Sequence, residues 1–140
     1  EGRYGPWRAY NQAKLANFHF GLGLHRLLSE AGRPAASLVT HPGLSNTELQ
    51  AVSVEETGGG LSQRFFLALA RNVGMSPAEG ALSQLRAATD PKARSGEFYG
   101  PLFVTNGPPV RKPVLRPGNN RAIAKLWQVS ERETGLELAA

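Results

Sequence analysis

A chain of 140 residues, 41% hydrophobic and 19% charged, is long enough for one domain with its own core and too apolar to be disordered. The absence of cysteine excludes disulfides, thiolate metal sites and cysteine nucleophiles. The three histidines, His19, His25 and His41, share no ligand spacing with a carboxylate cluster, so no metal is expected. The net charge of +5 is uneven: from Phe98 to Ser130 there is no acidic residue, while Arg111, Lys112, Arg116, Arg121 and Lys125 all fall there. That pattern suits nucleic acid or a solvated, proline-rich tail, and the tail is the expectation. No apolar run approaches the roughly 20 residues that span a bilayer, and no signal peptide is present, which points to a cytoplasmic protein. The chain starts at Glu1 without an initiator methionine, so a missing upstream segment is expected.

Residues 10–30 predict one helix. Ala13, Ala16, Phe20, Leu24 and Leu27 gather on one face, and Leu15, Phe18 and Leu22 form a second stripe. Tyr10, Lys14 and Asn17 share a flank between them. Two stripes imply burial on two sides, against a sheet and against a partner helix or a second subunit. Gly21 and Gly23 lie inside this helix without a preceding strand and turn, so they read as packing positions and not as a phosphate loop. Gly32 and Pro34 stop the helix.

Residues 36–41 then read as a short buried strand ended by Pro42-Gly43. A helix followed at once by such a strand is the rhythm of an α/β sheet. Ser45 or Asn46 could cap a short helix through Gln50, and residues 53–60 read as a flexible loop. A helix is predicted over 61–73. Ser76, Pro77 and Glu79 announce another, with Ala78, Ala81, Leu82, Leu85 and Ala88 expected inside and Asp90-Pro91 as its break. Residues 96–104 read as a strand ending the compact part, and 106–118 as a proline- and glycine-rich stretch. Asn119 or Asn120 could cap a last helix carrying Ile123, Leu126, Trp127 and Val129. Trp7 and Trp127 read as packing anchors, and His41 as a structural or loop histidine.

The chemistry-bearing pair is Tyr10 and Lys14. Four residues apart on a helix, they lie on one face a turn apart. A phenol with an ordinary pKa of about 10 is a poor acid at neutral pH, and a fixed ammonium beside it favours the phenolate. By spacing alone the pair is weak. One strand later comes Pro42-Gly43-Leu44-Ser45-Asn46-Thr47, and the combination is far more specific.

Together these residues resemble the C-terminal half of the short-chain dehydrogenase/reductases, in which a Tyr-x-x-x-Lys helix precedes a strand ending in Pro-Gly-x-x-x-Thr. Residues 76–80, 95–99 and 126–131 add softer likenesses to the retinol dehydrogenase-like subgroup. The resemblance implies the C-terminal half of a doubly wound, Rossmann-type parallel sheet with flanking helices. It implies hydride transfer between NAD or NADP and an alcohol/carbonyl pair of a small molecule. Tyr10 would be the general acid or base, and Lys14 its activator and a ligand of the nicotinamide ribose. Pro42, Gly43, Leu44 and Ser45 would hold the carboxamide, and Thr47 the carboxamide or pyrophosphate. Ser45 stands where the family usually has a β-branched aliphatic residue. Residues 51–75 would be a substrate lid within a core of 1–105, followed by a basic extension over 106–140. The helix over 10–30 would mediate a homo-oligomer.

The same comparison shows what these residues lack. The family's phosphate loop, its catalytic serine and its adenine-ribose selector have no counterpart, and residues 1–9 contain neither serine nor threonine. The chain therefore looks like a truncated half, inactive alone. The alternative is a non-catalytic fragment that serves as an interaction module.

Overall fold

The computed structural model describes residues 5–44, 74–115 and 119–137. Among them are three helices, α1 (Pro6–Glu30), α2 (Pro77–Thr89) and α3 (Asn119–Thr134), and three strands, β1 (Val39–Thr40), β2 (Phe98–Pro101) and β3 (Pro109–Lys112). The strand order is β1-β2-β3. Val39 N–H donates to the Glu97 carbonyl and His41 N–H to Tyr99, so donors and acceptors advance together and β1 runs parallel to β2. β3 runs antiparallel to β2, with Tyr99 opposite Arg111 and Pro101 opposite Pro109. The class is α/β with a mixed sheet. The chain divides into two compact units: Glu1–Val39 with Arg94–Glu97 and Pro113–Ala140, and Thr40–Ala93 with Phe98–Lys112.

In the first unit α1 begins at Pro6, four residues before the periodicity announces it, because proline loses nothing in the first turn. It ends in a left-handed glycine cap. Gly32 has φ +59°, its N–H reaches the Ser29 carbonyl at 3.2 Å, and Arg33 N–H reaches Leu28 at 2.9 Å. The two interior glycines have opposite duties. A Cβ on Gly21 would stand 2.5 Å from Val39 Cγ2, and one on Gly23 would overlap the indole of Trp127 and crowd Ile123. One side of α1 therefore lies against β1 and another against α3. Phe20 and Trp127 stack with centroids 5.2 Å apart, and Leu22 and Ile123 are buried. Buried Ser37 donates its hydroxyl to the Gly21 carbonyl at 2.8 Å, and its N–H donates to Ser95 Oγ at 3.0 Å.

Gly23→Ala is expected to lower stability. Overpacking costs about 1–3 kcal/mol, which exceeds the roughly 1 kcal/mol that alanine gains over glycine in a helix. A lowered urea midpoint with an unchanged slope is the expected readout, and a raised midpoint would contradict this packing.

In the second unit α2 opens with the complete capping box. Ser76 Oγ accepts from Glu79 N–H at 3.3 Å, and Glu79 Oε2 accepts from Ser76 N–H at 2.8 Å. The Ser76 N–H bond foremost, and a second from the Ser76 hydroxyl to the same oxygen at 2.8 Å, hold the Glu79 carboxyl below its ordinary pKa. The buried face of α2 differs from the expected one. It is Gly80, Ser83 and Ala87, while Leu82 and Leu85 are 41% and 55% exposed and Ala78, Ala81 and Ala88 are also exposed. Small side chains let the helix sit close to β2 and β3, and size outweighs hydropathy there. The Arg86 guanidinium lies 5.6 Å from the Tyr99 ring centroid and bonds the Pro109 carbonyl. Tyr99 and Pro101 are almost wholly buried. The expected strand over 96–104 is confined to 98–101, and the stretch expected to be irregular after 106 contains β3.

Candidate active site

Tyr10 and Lys14 stand on the exposed flank of α1, with Lys14 Nζ 5.5 Å from the centroid of the Tyr10 ring. At that distance the ammonium lies over the aromatic face, a cation–π arrangement worth about 0.5–1 kcal/mol at an exposed site, which favours the two side chains lying together. Tyr10 is 46% exposed. The i,i+4 spacing alone dictates this placement.

In the second unit the Pro42-Gly43 turn follows β1. Gly43 has φ +74°, in the left-handed region. A Cβ there would meet the Thr105 carbonyl oxygen at 2.6 Å, Pro101 Cγ at 2.7 Å and Met75 Cε at 2.8 Å. Four bonds clamp the turn. His41 N–H donates to Tyr99 at 2.9 Å, and Gly43 N–H to His41 Nδ1 at 2.9 Å. Leu44 N–H donates to Thr105 at 2.7 Å, and Met75 N–H to the Leu44 carbonyl at 2.9 Å. The turn's amide donors are thus consumed by the protein itself. The Gly43 carbonyl accepts no hydrogen bond among the described residues, and it matches the NH2 of a carboxamide. Ser45, Thr47 and lid residues 51–73 lie outside the described residues, as do the helices expected over 46–50 and 61–73 and the side chain of Trp7.

His41 has a definite structural task in this turn, in keeping with its reading as a structural or loop histidine. Its Nδ1 accepts the Gly43 N–H, so the neutral ring carries its proton on Nε2. It does for this turn what an asparagine oxygen does in an Asx-turn. The residue as a whole keeps an exposed surface, yet burial of the ring is the larger cause of a pKa below the ordinary 6.5, and the Lys112 ammonium on β3 is the second. A histidine depressed in the folded state contributes stability above pH 6.5, and that contribution is lost as pH falls through the lowered value. The melting temperature is therefore expected to fall on acidification. His41→Asn, which accepts the same bond at every pH, should make that fall shallower. Identical pH profiles for the two proteins would count against the role.

Beyond the turn the chain forms a tight tip. Val104 N–H donates to Pro101 at 3.1 Å and Thr105 N–H to Phe103 at 2.7 Å, and Val104 has φ +69°. That is a γ-turn with a β-branched residue in the left-handed region, a strain on the order of 1–3 kcal/mol. Lys112 Nζ donates to the Leu102 carbonyl at 2.7 Å and fixes the tip from β3.

In the first unit a groove of about 670 Å³ is lined by Leu22, His25, Arg26, Val114, Asn119 and Arg121 among others. Its polar groups tie elements together: His25 Nδ1 meets Ser95 Oγ at 2.9 Å, His19 Nε2 meets Asn119 Oδ1 at 3.3 Å, and Arg26 donates to Asn120. Among the described residues no group of histidine and carboxylate side chains could hold a metal, and no helix is long and apolar enough to cross a membrane.

No family model matches the chain. It is similar to the polyprenol dehydrogenase of Mus musculus, with 40% identity over 91 residues that make up 64% of this chain and 25% of the relative. Among solved structures it is similar to an uncharacterized protein from Mycobacterium paratuberculosis, with a TM-score of 0.64 and 30% identity, over 99% of this chain and 42% of that one. The chain thus spans a quarter of the length of the curated relative and under half of the solved one. The sequence relationship is to a dehydrogenase.

Proposed function

We propose that this chain is the catalytic-helix half of a nicotinamide-dependent oxidoreductase of the short-chain dehydrogenase/reductase type, acting on an alcohol/carbonyl pair. The observation that carries the reading is the Lys14 ammonium fixed 5.5 Å from the Tyr10 ring on an exposed helix flank. The Pro42–Leu44 turn one strand later adds to it, and so does the similarity to a polyprenol dehydrogenase. When bound, the nicotinamide supplies the hydride acceptor for alcohol oxidation and the donor for the reverse. Tyr10 Oη takes the hydroxyl proton as the alcohol C–H leaves with its electron pair, and returns that proton when the carbonyl is reduced. Lys14 stands beside Tyr10 as its positioning partner, and its ammonium is a ligand for ribose hydroxyls. The Gly43 carbonyl, with Ser45 and Thr47, would hold the carboxamide. The substrate class that fits the relative's name is a long, apolar primary alcohol.

Titration of the intact protein with NAD and NADP, followed by alcohol-dependent growth of reduced nicotinamide absorbance, tests the reading. Saturable binding of one dinucleotide with turnover is the expected outcome. Absence of binding by both would sink the proposal.

A further inference from the structure

Three consecutive apolar residues at the β2–β3 tip are displayed to solvent: Leu102 is 46% exposed, Phe103 67% and Val104 65%. Single exposed apolar side chains need no explanation, but a contiguous set on a rigid tip marks a surface that contacts something apolar. The tip is rigid. Hydrogen bonds within 101–108 close it, the Lys112 ammonium grips the Leu102 carbonyl, and Val104 is held at φ +69°. The tip is also tied to the candidate nicotinamide-holding turn, because Leu44 N–H bonds the Thr105 carbonyl one residue past Val104 and that oxygen bounds the space at Gly43.

We propose that Leu102, Phe103 and Val104 form a binding surface for the hydrocarbon chain of the substrate. This inference rests on the dehydrogenase reading above and locates the residues that would set its chain-length preference. A dinucleotide is charged and sugar-rich and has little use for an apolar tip. The substrate must reach the same nicotinamide, and its alkyl portion would gain by covering these side chains. Hydrocarbon burial scales with each added methylene, so the surface acts on the ratio between long and short substrates.

The test is kinetic and uses the intact protein with geraniol, farnesol and geranylgeraniol. Wild-type kcat/KM is expected to rise with chain length. In Phe103→Ser, and in Phe103→Ser combined with Val104→Ser, the ratio of kcat/KM for geranylgeraniol to that for geraniol should drop about tenfold, with Phe103→Leu restoring most of it. A thermal melt checks that each variant is folded. An unchanged ratio overturns the proposal. So does an equal loss on all three alcohols, which would mean general damage to the site. If the variants keep the ratio but lose flotation with phosphatidylcholine vesicles, the tip faces a bilayer; if they lose a concentration-dependent sedimentation shift, it faces a second copy. Either result overturns the proposal as well. Failure of the underlying reading looks different, because wild type itself would then bind no dinucleotide and oxidise none of the three.

Discussion

Tyr10→Phe in the intact protein is expected to reduce kcat by about 10²–10⁴-fold, the usual worth of a positioned general acid or base. Dinucleotide affinity should stay within roughly twofold, because the change removes one oxygen and leaves the ring. Phenylalanine keeps the aromatic face beneath the Lys14 ammonium, which lies 5.5 Å from the ring centroid, so the partner stays in place. Lys14→Met should behave differently, lowering turnover and weakening dinucleotide binding together, because Lys14 serves both the phenol and the ribose. Steady-state kinetics beside a binding titration separate the two patterns. Turnover by Tyr10→Phe at more than half the wild-type rate would remove Tyr10 from the chemistry.

The second large effect is expected at Gly43. Its φ of +74° costs any L-residue with a side chain about 1–2 kcal/mol. The new Cβ would also meet the Thr105 carbonyl oxygen at 2.6 Å. Met75 can move its Cε aside, but that carbonyl is the acceptor for Leu44 N–H, so relief breaks the bond at a further cost of about 0.5–1.5 kcal/mol. Gly43→Ala should therefore lose roughly 2–3 kcal/mol in urea unfolding and weaken dinucleotide binding at least tenfold. Gly32→Ala is the control. Gly32 also has positive φ, at +59°, but nothing lies within 4 Å of the added Cβ, so only the backbone cost applies and binding should be untouched. Equal losses at the two glycines would mean that the Thr105 contact carries no weight.

Local chemistry was legible in the chain, and long-range chemistry was not. The start of α2 could be read because Ser76, Pro77 and Glu79 make their capping bonds within one turn. The Tyr10–Lys14 arrangement could be read because helical spacing alone determines it. β3 could not be read: Pro108 and Pro109 spell a break, and the strand exists only through its pairing with β2. The buried face of α2 was misjudged because Leu82 and Leu85 outrank Gly80 and Ser83 in hydropathy, whereas the sheet admits only small side chains. His41 was visible as a residue but not as an acceptor, since its role depends on how the turn folds back on it. The apolar tip was hidden inside a predicted strand that stops sooner than its sequence suggests.

The cover that α3 gives to α1 has a consequence for how the protein is made. His19 meets Asn119 across 100 residues of chain, and Gly23 waits for Trp127 across a similar interval. At roughly 5–20 residues per second of translation, α1 emerges about 5–20 s before the helix that shields it exists. During that time Leu22 and the bare backbone at Gly23 lack their cover. The packing surface of α1 is therefore completed only late in synthesis.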